Sequence, residues 1–268
     1  MIVCKSPAEI ERMRAANLLV ADVLAELAAM VAPGVTTAAL DAEAERLVRA
    51  AGAEPAFKGY RGYPCTLCAS VNEQVVHGIP SARPLIEGDI ISLDMGVKLN
   101  GFYGDSAVTV PVGRVAPEVE TLLRVTQEAL AKGIAQVRLG GRISDIGHAI
   151  QTHVEASGFS VVREFVGHGI GQKLHEEPQI PNYGSPGRGP RLAEGMVLAI
   201  EPMVNLGKAP VRVLSDGWTA VTKDGQLSAH FEHTVAVTMA GPLVLTAPGG
   251  AVVAGADGYW PSLQAARM

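Results

Sequence analysis

A pair of helices is predicted twice along this chain, and this internal repeat restricts the fold more than any other feature. The first pair occupies residues 8–52, where apolar residues recur at helical spacing and Pro33-Gly34 separates the two helices. The second pair occupies residues 118–158, with Gly140-Gly141 as its separator. A shift of 106 positions superimposes the copies; Leu24 falls on Leu130, Val31 on Val137, Gly34 on Gly140, Val48 on Val154 and Gly52 on Gly158. The repeat predicts two helix–helix–sheet halves that face each other about a pseudo-twofold axis.

The two halves are expected over about residues 5–113 and 114–240, within one domain of 268 residues. Ser6-Pro7-Ala8-Glu9 begins the first helix, because it supplies an N-cap, a proline at the first helical position and a capping-box glutamate. Residues 241–268 are rich in Ala, Gly and Pro and show no periodicity. We expect an irregular surface tail there.

Composition argues against several classes of protein. The net charge of -5 provides no general basic field for a phosphate backbone, so direct nucleic-acid binding is not expected. No stretch approaches the roughly 20 apolar residues of a membrane span, and the N-terminus lacks the apolar segment of a signal peptide. Three cysteines form an odd set, and Cys65 and Cys68 lack the second pair that a zinc site requires. These features favour a cytoplasmic protein.

Two acids, Asp94 and Asp105, lie in a predicted β-hairpin. Residues 89–97 and 102–110 have the pattern of strands, and Asn100-Gly101 between them is favoured in two-residue hairpin turns. Such a turn places the two acids on the same face as diagonal neighbours. They are either solvated surface residues or a cation site, because buried like charges require neutralisation.

Three further segments carry candidate metal ligands. His168 lies between two glycines, where backbone approaches a ligand closely, and His175 follows; a loop surface position is the alternative for both. Glu201 ends an apolar run, which is an unusual place for a carboxylate without a partner. In a strand predicted over residues 229–238, alternation makes Glu232 a plausible inward ligand.

Together these segments provide four carboxylates and one imidazole. Oxygen-rich donors of this kind suit Mn, Fe, Co or Zn, and four negative charges balance two divalent cations. Two bridged ions would hold and activate a water molecule for hydrolysis. The candidate metal ligands are Asp94, Asp105, His168, Glu201 and Glu232.

The chain resembles the type I methionine aminopeptidases over about residues 5–240. The resemblance is carried by residues 165–183, which include Gly167-His168-Gly169-Ile170-Gly171, and by the segments at residues 59–64 and 77–80. The spacings between ligands also fit, with 11 residues from Asp94 to Asp105. The resemblance implies an α+β, duplicated pita-bread fold whose central antiparallel sheet is flanked by helices, in a single catalytic domain over residues 1–268 without an N-terminal zinc-binding extension.

The resemblance also implies roles for the metal ligands. Asp94 would chelate one ion, and Asp105 and Glu232 would bridge both. His168 and Glu201 would complete the second ion, and Glu201 would shuttle a proton for the bridging water.

The remaining site residues implied by the resemblance bind substrate. His175 would polarise the scissile carbonyl or stabilise its oxyanion, and His77 would form a hydrogen bond near the scissile nitrogen. The side chains implied to surround the substrate methionine are Tyr60, Tyr63, Cys68, Leu174 and Trp218. Arg61, Leu174 and Ala199 depart from the commoner bacterial pattern, although none of them is a metal ligand.

The implied activity is hydrolysis of the N-terminal methionine from nascent polypeptides with a small second residue, by a ribosome-proximal monomer that carries two divalent ions. A proline-specific aminopeptidase or dipeptidase of the same fold would share the five ligands. A non-catalytic protein with the pita-bread fold would be expected to have replaced ligands, whereas this chain keeps all five.

Overall fold

The structure is a computed structural model, and it describes residues 1–247. The helices are α1 (Pro7–Met30), α2 (Thr37–Ala50), α3 (Pro117–Ile134) and α4 (Ile143–Ala156). The strands are β1 (Glu54–Pro55), β2 (Leu67–Val71), β3 (Gln74–Val76), β4 (Ile90–Leu99), β5 (Phe102–Pro111), β6 (Ser160–Val161), β7 (Gly167–Gly169), β8 (Glu176–Ile180), β9 (Val197–Ile200), β10 (Met203–Asn205), β11 (Val211–Val213), β12 (Ala220–Thr222), β13 (Ser228–His230), β14 (His233–Thr238) and β15 (Gly241–Val244). None of these helices is long and apolar enough to cross a bilayer.

The strands form four sheets whose pairings are antiparallel. One sheet has the order β1-β4-β2, with β5 also paired to β4, and another has the order β15-β14-β9-β7-β8. Two smaller sheets have the orders β13-β10-β6 and β11-β12-β3. Buried side chains from all four helices and from β4 and β9 belong to one hydrophobic cluster. The expected α+β fold with antiparallel sheets and flanking helices is therefore confirmed.

Helix α1 starts as predicted and packs closely on the β4–β5 hairpin. The Ser6 side chain accepts a hydrogen bond from the Glu9 amide, and the Glu9 carboxylate accepts one from the Ser6 amide. A Cβ atom on Gly104 would lie 2.8 Å from the backbone of Ala16, so only glycine permits this approach. The Asp105 amide then donates to the Asn17 side chain at 3.3 Å. The helix thereby fixes the strand that carries Asp105.

The two helix pairs correspond residue by residue. Helix α4 occupies the range of α2 displaced by 106 positions, and β6 occupies the range of β1 displaced equally. Gly52 and Gly158 follow the helices with φ of 72° and 84°. In both copies the next amide closes back onto the helix, Ala53 to Val48 at 3.1 Å and Phe159 to Val154 at 3.3 Å. Equivalent sequence positions thus produce the same helix termination.

The hairpin prediction is confirmed, including its register. Asn100 and Gly101 have φ of 51° and 82°, and Leu99 lies opposite Phe102. Asp94 lies opposite Ala107. Because Asp105 lies two positions from Ala107, the two acids share one face of the hairpin.

Two predictions about the C-terminal strands are wrong. The single strand expected over residues 229–238 is divided, because β13 pairs with β10 whereas β14 pairs with β9. The tail expected to be irregular from residue 241 begins with β15, which pairs with β14. Burial alternates along this edge strand, but its sequence shows no alternation of polar and apolar residues. Residues 248–268 lie outside the described part of the chain.

Candidate active site

A cavity of about 150 Å³ lies where the β4–β5 hairpin meets the sheet that contains β7 and β9. All the residues predicted for the site line this cavity: Tyr60, Tyr63, Cys68, His77, Asp94, Asp105, His168, Leu174, His175, Glu201, Trp218 and Glu232. Phe57 and Arg61 complete its lining. The structure therefore brings together predicted residues that are up to 172 positions apart in the sequence, from Tyr60 to Glu232.

The five predicted metal ligands come from both halves of the chain. The hairpin supplies Asp94 and Asp105, whereas His168 is the middle residue of β7. Glu201 follows β9 directly, and Glu232 precedes β14. These elements meet because the Glu232 amide donates a hydrogen bond to the carbonyl of residue 107 in the hairpin at 2.9 Å.

His168 lies among the carboxylates. Its Nε2 atom is 3.5 Å from Glu201 Oε1 and 3.8 Å from Asp105 Oδ2. Its Nδ1 atom donates to the carbonyl of Gly169 at 2.9 Å, since a carbonyl oxygen only accepts. The Nε2 lone pair is consequently directed to the acids. Ligand atoms of Asp105, His168 and Glu232 all lie within 4.8 Å of one another.

The carboxylates are buried and share one environment. Burial raises the pKa of Asp94 to about 7. Burial, together with the neighbouring acids, raises the pKa values of Asp105, Glu201 and Glu232 well above their usual range. One oxygen each of Asp94, Asp105 and Glu232 has no hydrogen-bond partner among the described residues.

This donor set fits divalent cations. Burial lowers the pKa of His168 to about 4, so its imidazole is neutral and available as a ligand at physiological pH. Cations would satisfy the unpaired carboxylate oxygens and remove the repulsion among the acids.

His175 and His77 lie beside the carboxylates with fixed rings. The Nδ1 atom of His175 is 2.9 Å from the Tyr60 hydroxyl, and its ring lies 4.2 Å from that of His168. Burial, and then the neighbouring His168, lowers the pKa of His175 to about 3. His77 has a φ of 60° and packs edge-on against Phe165, while burial lowers its pKa. Both rings are therefore neutral near pH 7.

Aromatic and apolar side chains form the remaining wall of the cavity. The Tyr63 hydroxyl lies 3.0 Å from two backbone carbonyls, and its ring meets Trp218 edge-on at 5.2 Å. Cys68 lies on β2 opposite Asp94, and Leu174 is buried. The wall contacts the carboxylate cluster directly, which is suitable for an apolar side chain next to a hydrolytic centre.

The sequence predictions missed His230 beside this site. Its Nε2 atom is 3.8 Å from Glu201 Oε2, and burial lowers its pKa to about 3. Strand alternation placed His230 on the face of Glu232, but it could not reveal the contact with Glu201 across two sheets. His148 and His153, by contrast, lie on α4, where His153 contacts Glu128 at 2.8 Å.

Comparisons with known proteins agree with this geometry. The model of Metallopeptidase family M24 matches residues 11–239. The chain is 56% identical to methionine aminopeptidase 1 of Bacillus subtilis, across 92% of this chain and 99% of that protein. It is also similar to the crystal structure of methionine aminopeptidase from Rickettsia prowazekii, with a TM-score of 0.91, 42% identity and coverage of 92% and 100%.

More distant structures share only the fold. Prolidase from Pyrococcus furiosus is 22% identical with a TM-score of 0.74, and the match covers 92% of this chain and 66% of that one. The family match spans most of the sequence, and it includes all five residues of the carboxylate and imidazole cluster. This chain belongs to metallopeptidase family M24.

Proposed function

We propose that the protein is a methionine aminopeptidase, a metal-dependent hydrolase that removes the N-terminal methionine from polypeptides. The observation that carries this proposal is the convergence of four carboxylates and His168 on a cavity with an aromatic and apolar wall. The high identity to relatives named methionine aminopeptidase supports it.

The five residues would hold two divalent ions, drawn from Co, Mn, Fe or Zn. Asp105 and Glu232 would be shared ligands, Asp94 would complete one ion, and His168 with Glu201 would complete the other. Bound divalent ions supply Lewis-acid chemistry that polarises a carbonyl and acidifies a water molecule. The four carboxylates balance the charge of two such ions, which supports the stoichiometry.

The protein's own groups move the proton and orient the substrate. Glu201 accepts a proton from the attacking water on its carboxylate and returns it to the leaving amine. Tyr60 donates its hydroxyl hydrogen to His175 Nδ1, so His175 carries its own hydrogen on Nε2 and donates it to the scissile carbonyl. His77 forms a hydrogen bond near the scissile nitrogen.

The side chain of the substrate methionine packs against the aromatic and apolar wall of the cavity. Tyr60, Tyr63, Cys68, Leu174 and Trp218 surround its unbranched side chain, and a thioether makes favourable contacts with aromatic rings. A cavity of about 150 Å³ leaves little space beyond this side chain, which supports a preference for a small second residue.

A proline-specific aminopeptidase or dipeptidase is the competing function, because the fold and the five ligands are compatible with it. The aromatic wall and the named relatives favour methionine. We further propose that the enzyme acts as a cytoplasmic monomer on nascent polypeptides close to the ribosome.

Peptide hydrolysis tests the proposed function. Metal-stripped protein is resupplied with Co, Mn, Fe or Zn, and release of free methionine is measured with Met-Ala-Ser and compared with cleavage of an Ala-Pro peptide. Metal-dependent release confined to the methionine peptide is expected. Cleavage only before proline would assign the competing activity, and no cleavage with any ion would indicate a binding protein.

A further inference from the structure

A second cavity, which we call the outer groove, adjoins the active site. It has a volume of about 730 Å³ and shares Arg61, His168 and His175 with the inner cavity. The inner cavity, at about 150 Å³, accommodates one side chain, whereas the outer groove has room for several residues. A polypeptide whose first residue occupies the inner cavity therefore has a path into the outer groove past Arg61.

The backbone holds Arg61 at the junction of the two cavities. Arg61 has a φ of 50° and lies between Gly59 and Gly62, whose φ values are 86° and 92°. Amide hydrogen bonds from Tyr60 to Phe57 and from Gly62 to Gly59 close this turn. A left-handed conformation at a non-glycine residue is costly, and such residues cluster at functional sites.

The guanidinium of Arg61 is available to a ligand. It lies 5.4 Å from the centre of the Tyr60 ring, and the residue is exposed. It forms no ion pair within residues 1–247, and it is the only lysine or arginine among the described residues that line the inner cavity.

Three acids and three basic side chains line the outer groove, and none of these acids forms an ion pair with Arg61. The Glu176 carboxylate pairs with Lys5 at 2.6 Å, and the Glu9 carboxylate caps helix α1 through Ser6. The exposed Glu177 remains, and the exposed Lys173 of the same groove offsets it. Arg61 thus provides positive charge where the substrate leaves the inner cavity.

Strand geometry indicates which substrate residue meets this charge. In an extended peptide, residues one and three direct their side chains to the same side. Tyr60 lines the inner cavity that receives the first side chain, and the Arg61 guanidinium lies over the same Tyr60 ring. The third side chain is therefore directed to Arg61.

We propose that Arg61 binds an acidic side chain at the third position of the polypeptide, so that the enzyme prefers substrates with methionine, a small residue and then Asp or Glu. This specificity rests on the proposed function, since it assigns a further subsite of the same active site. Arg61 is a specificity-determining residue that forms an ion pair with the substrate and takes no part in the proton transfers.

The test uses four-residue peptides with a C-terminal amide, Met-Ala-Xaa-Ser, in which Xaa is Glu, Gln or Lys. The metal-loaded enzyme should show a kcat/KM for Glu about fivefold above that for Gln, because a partly exposed ion pair has about this effect. The difference should arise in KM and should shrink as salt is added. Arg61→Gln should abolish the preference, and Arg61→Glu should reverse it in favour of Lys.

Arg114→Gln is the matched control, since it removes one exposed arginine that lines neither cavity. This variant should keep the wild-type preference. Equal kcat/KM for the three peptides, or a preference that survives in Arg61→Gln, would overturn the inference and leave the proposed function intact. Absence of methionine release from every peptide with every ion would overturn the proposed function itself.

Discussion

Replacement of Asp105 has two separate expected effects. It weakens metal binding, and it relieves the electrostatic repulsion among the buried acids. Asp105 lies within reach of His168 and Glu232, and its carboxylate is buried with one oxygen unpaired. Asp105→Asn removes one of four negative charges and should lower metal content and reduce methionine release by more than about 100-fold. The metal-free variant should unfold at a higher temperature than metal-free wild type, because repulsion among the acids is relieved.

Atomic absorption, peptide hydrolysis and thermal unfolding measure these three effects. Asp22→Asn is the matched control, since Asp22 is exposed on helix α1 and should change none of them. A fully active Asp105→Asn enzyme with both ions bound would contradict the bridging role.

The buried acids also predict how the stability of the metal-free protein depends on pH. Their folded-state pKa values are raised, to about 7 for Asp94. The unfolded chain therefore binds fewer protons than the folded protein above pH 4, and stability falls as pH rises. The lowered pKa values of histidines such as His168 oppose this trend only below about pH 6.5, their unfolded value.

Between pH 6.5 and 8 the carboxylates consequently dominate. The free energy of unfolding of the metal-free protein should decrease by roughly 1 kcal/mol or more across this interval. Urea denaturation in the presence of a chelator measures it, and saturating Mn should abolish the slope because bound carboxylates stay ionised. A stability that increases with pH in the chelated sample would contradict the raised pKa values.

Among the structural elements, the N-terminal segment and the loop that carries His175 depend on each other. Lys5 pairs with Glu176 at 2.6 Å, with side chains only 4% and 10% exposed. Gly171 makes space for this pair, since a Cβ atom there would lie 2.4 Å from Lys5 Cε. The ion pair therefore anchors the loop to the N-terminal segment at Glu176, the residue that directly follows His175.

Lys5→Met should reduce the free energy of unfolding by about 3–5 kcal/mol, because the buried Glu176 carboxylate loses its counter-charge and keeps only the hydrogen bond from the Lys173 amide. Methionine release should also slow as His175 loses its support. Lys58→Met is the control, because Lys58 pairs with Glu45 at the surface and should cost at most about 1 kcal/mol. Similar losses in the two variants on urea denaturation would argue against a buried anchor.

The elements differ in how far local sequence determines them. Asn100-Gly101 determines both the turn and the strand register of the β4–β5 hairpin. The position of Asp94 and Asp105 on the same face was therefore predictable. The break between β13 and β14 was not, since it arises where the chain changes pairing partner from β10 to β9. The sequence also did not predict β15, because residues 241–244 do not alternate between polar and apolar types. This strand is recognised only from its backbone pairing with β14.

At the scale of the whole molecule, the equivalence of the two halves can be tested thermodynamically. Gly52 and Gly158 end equivalent helices with left-handed backbone and no atom within 4 Å of an added Cβ. Gly52→Ala and Gly158→Ala should each cost about 1–2 kcal/mol, purely through backbone strain. The double variant should show additive losses, because the two sites share no contact. If chemical denaturation gave losses in the free energy of unfolding that differ severalfold, the two helix ends would not be equivalent in stability.

The residues that meet at the candidate site were predictable from the sequence, whereas their surroundings were less so. The acids and His168 are ionisable residues within or beside apolar segments that are typical of buried strands. Such residues are unusual in these segments, and they can be recognised in the sequence. The contact of His230 with Glu201 and the position of Arg61 between two cavities depend on how separate sheets meet, which no local pattern records.

The distribution of the ligands between both halves has a consequence for the order of synthesis. Asp94 and Asp105 are made well before Glu232, which lies 127 residues after Asp105. Translation proceeds from the N-terminus, and domains fold as units. The proposed metal site is therefore incomplete until residue 232 has been made. A nascent copy of this protein is therefore inactive until its later strands have been made and folded, and only finished copies contribute to hydrolysis.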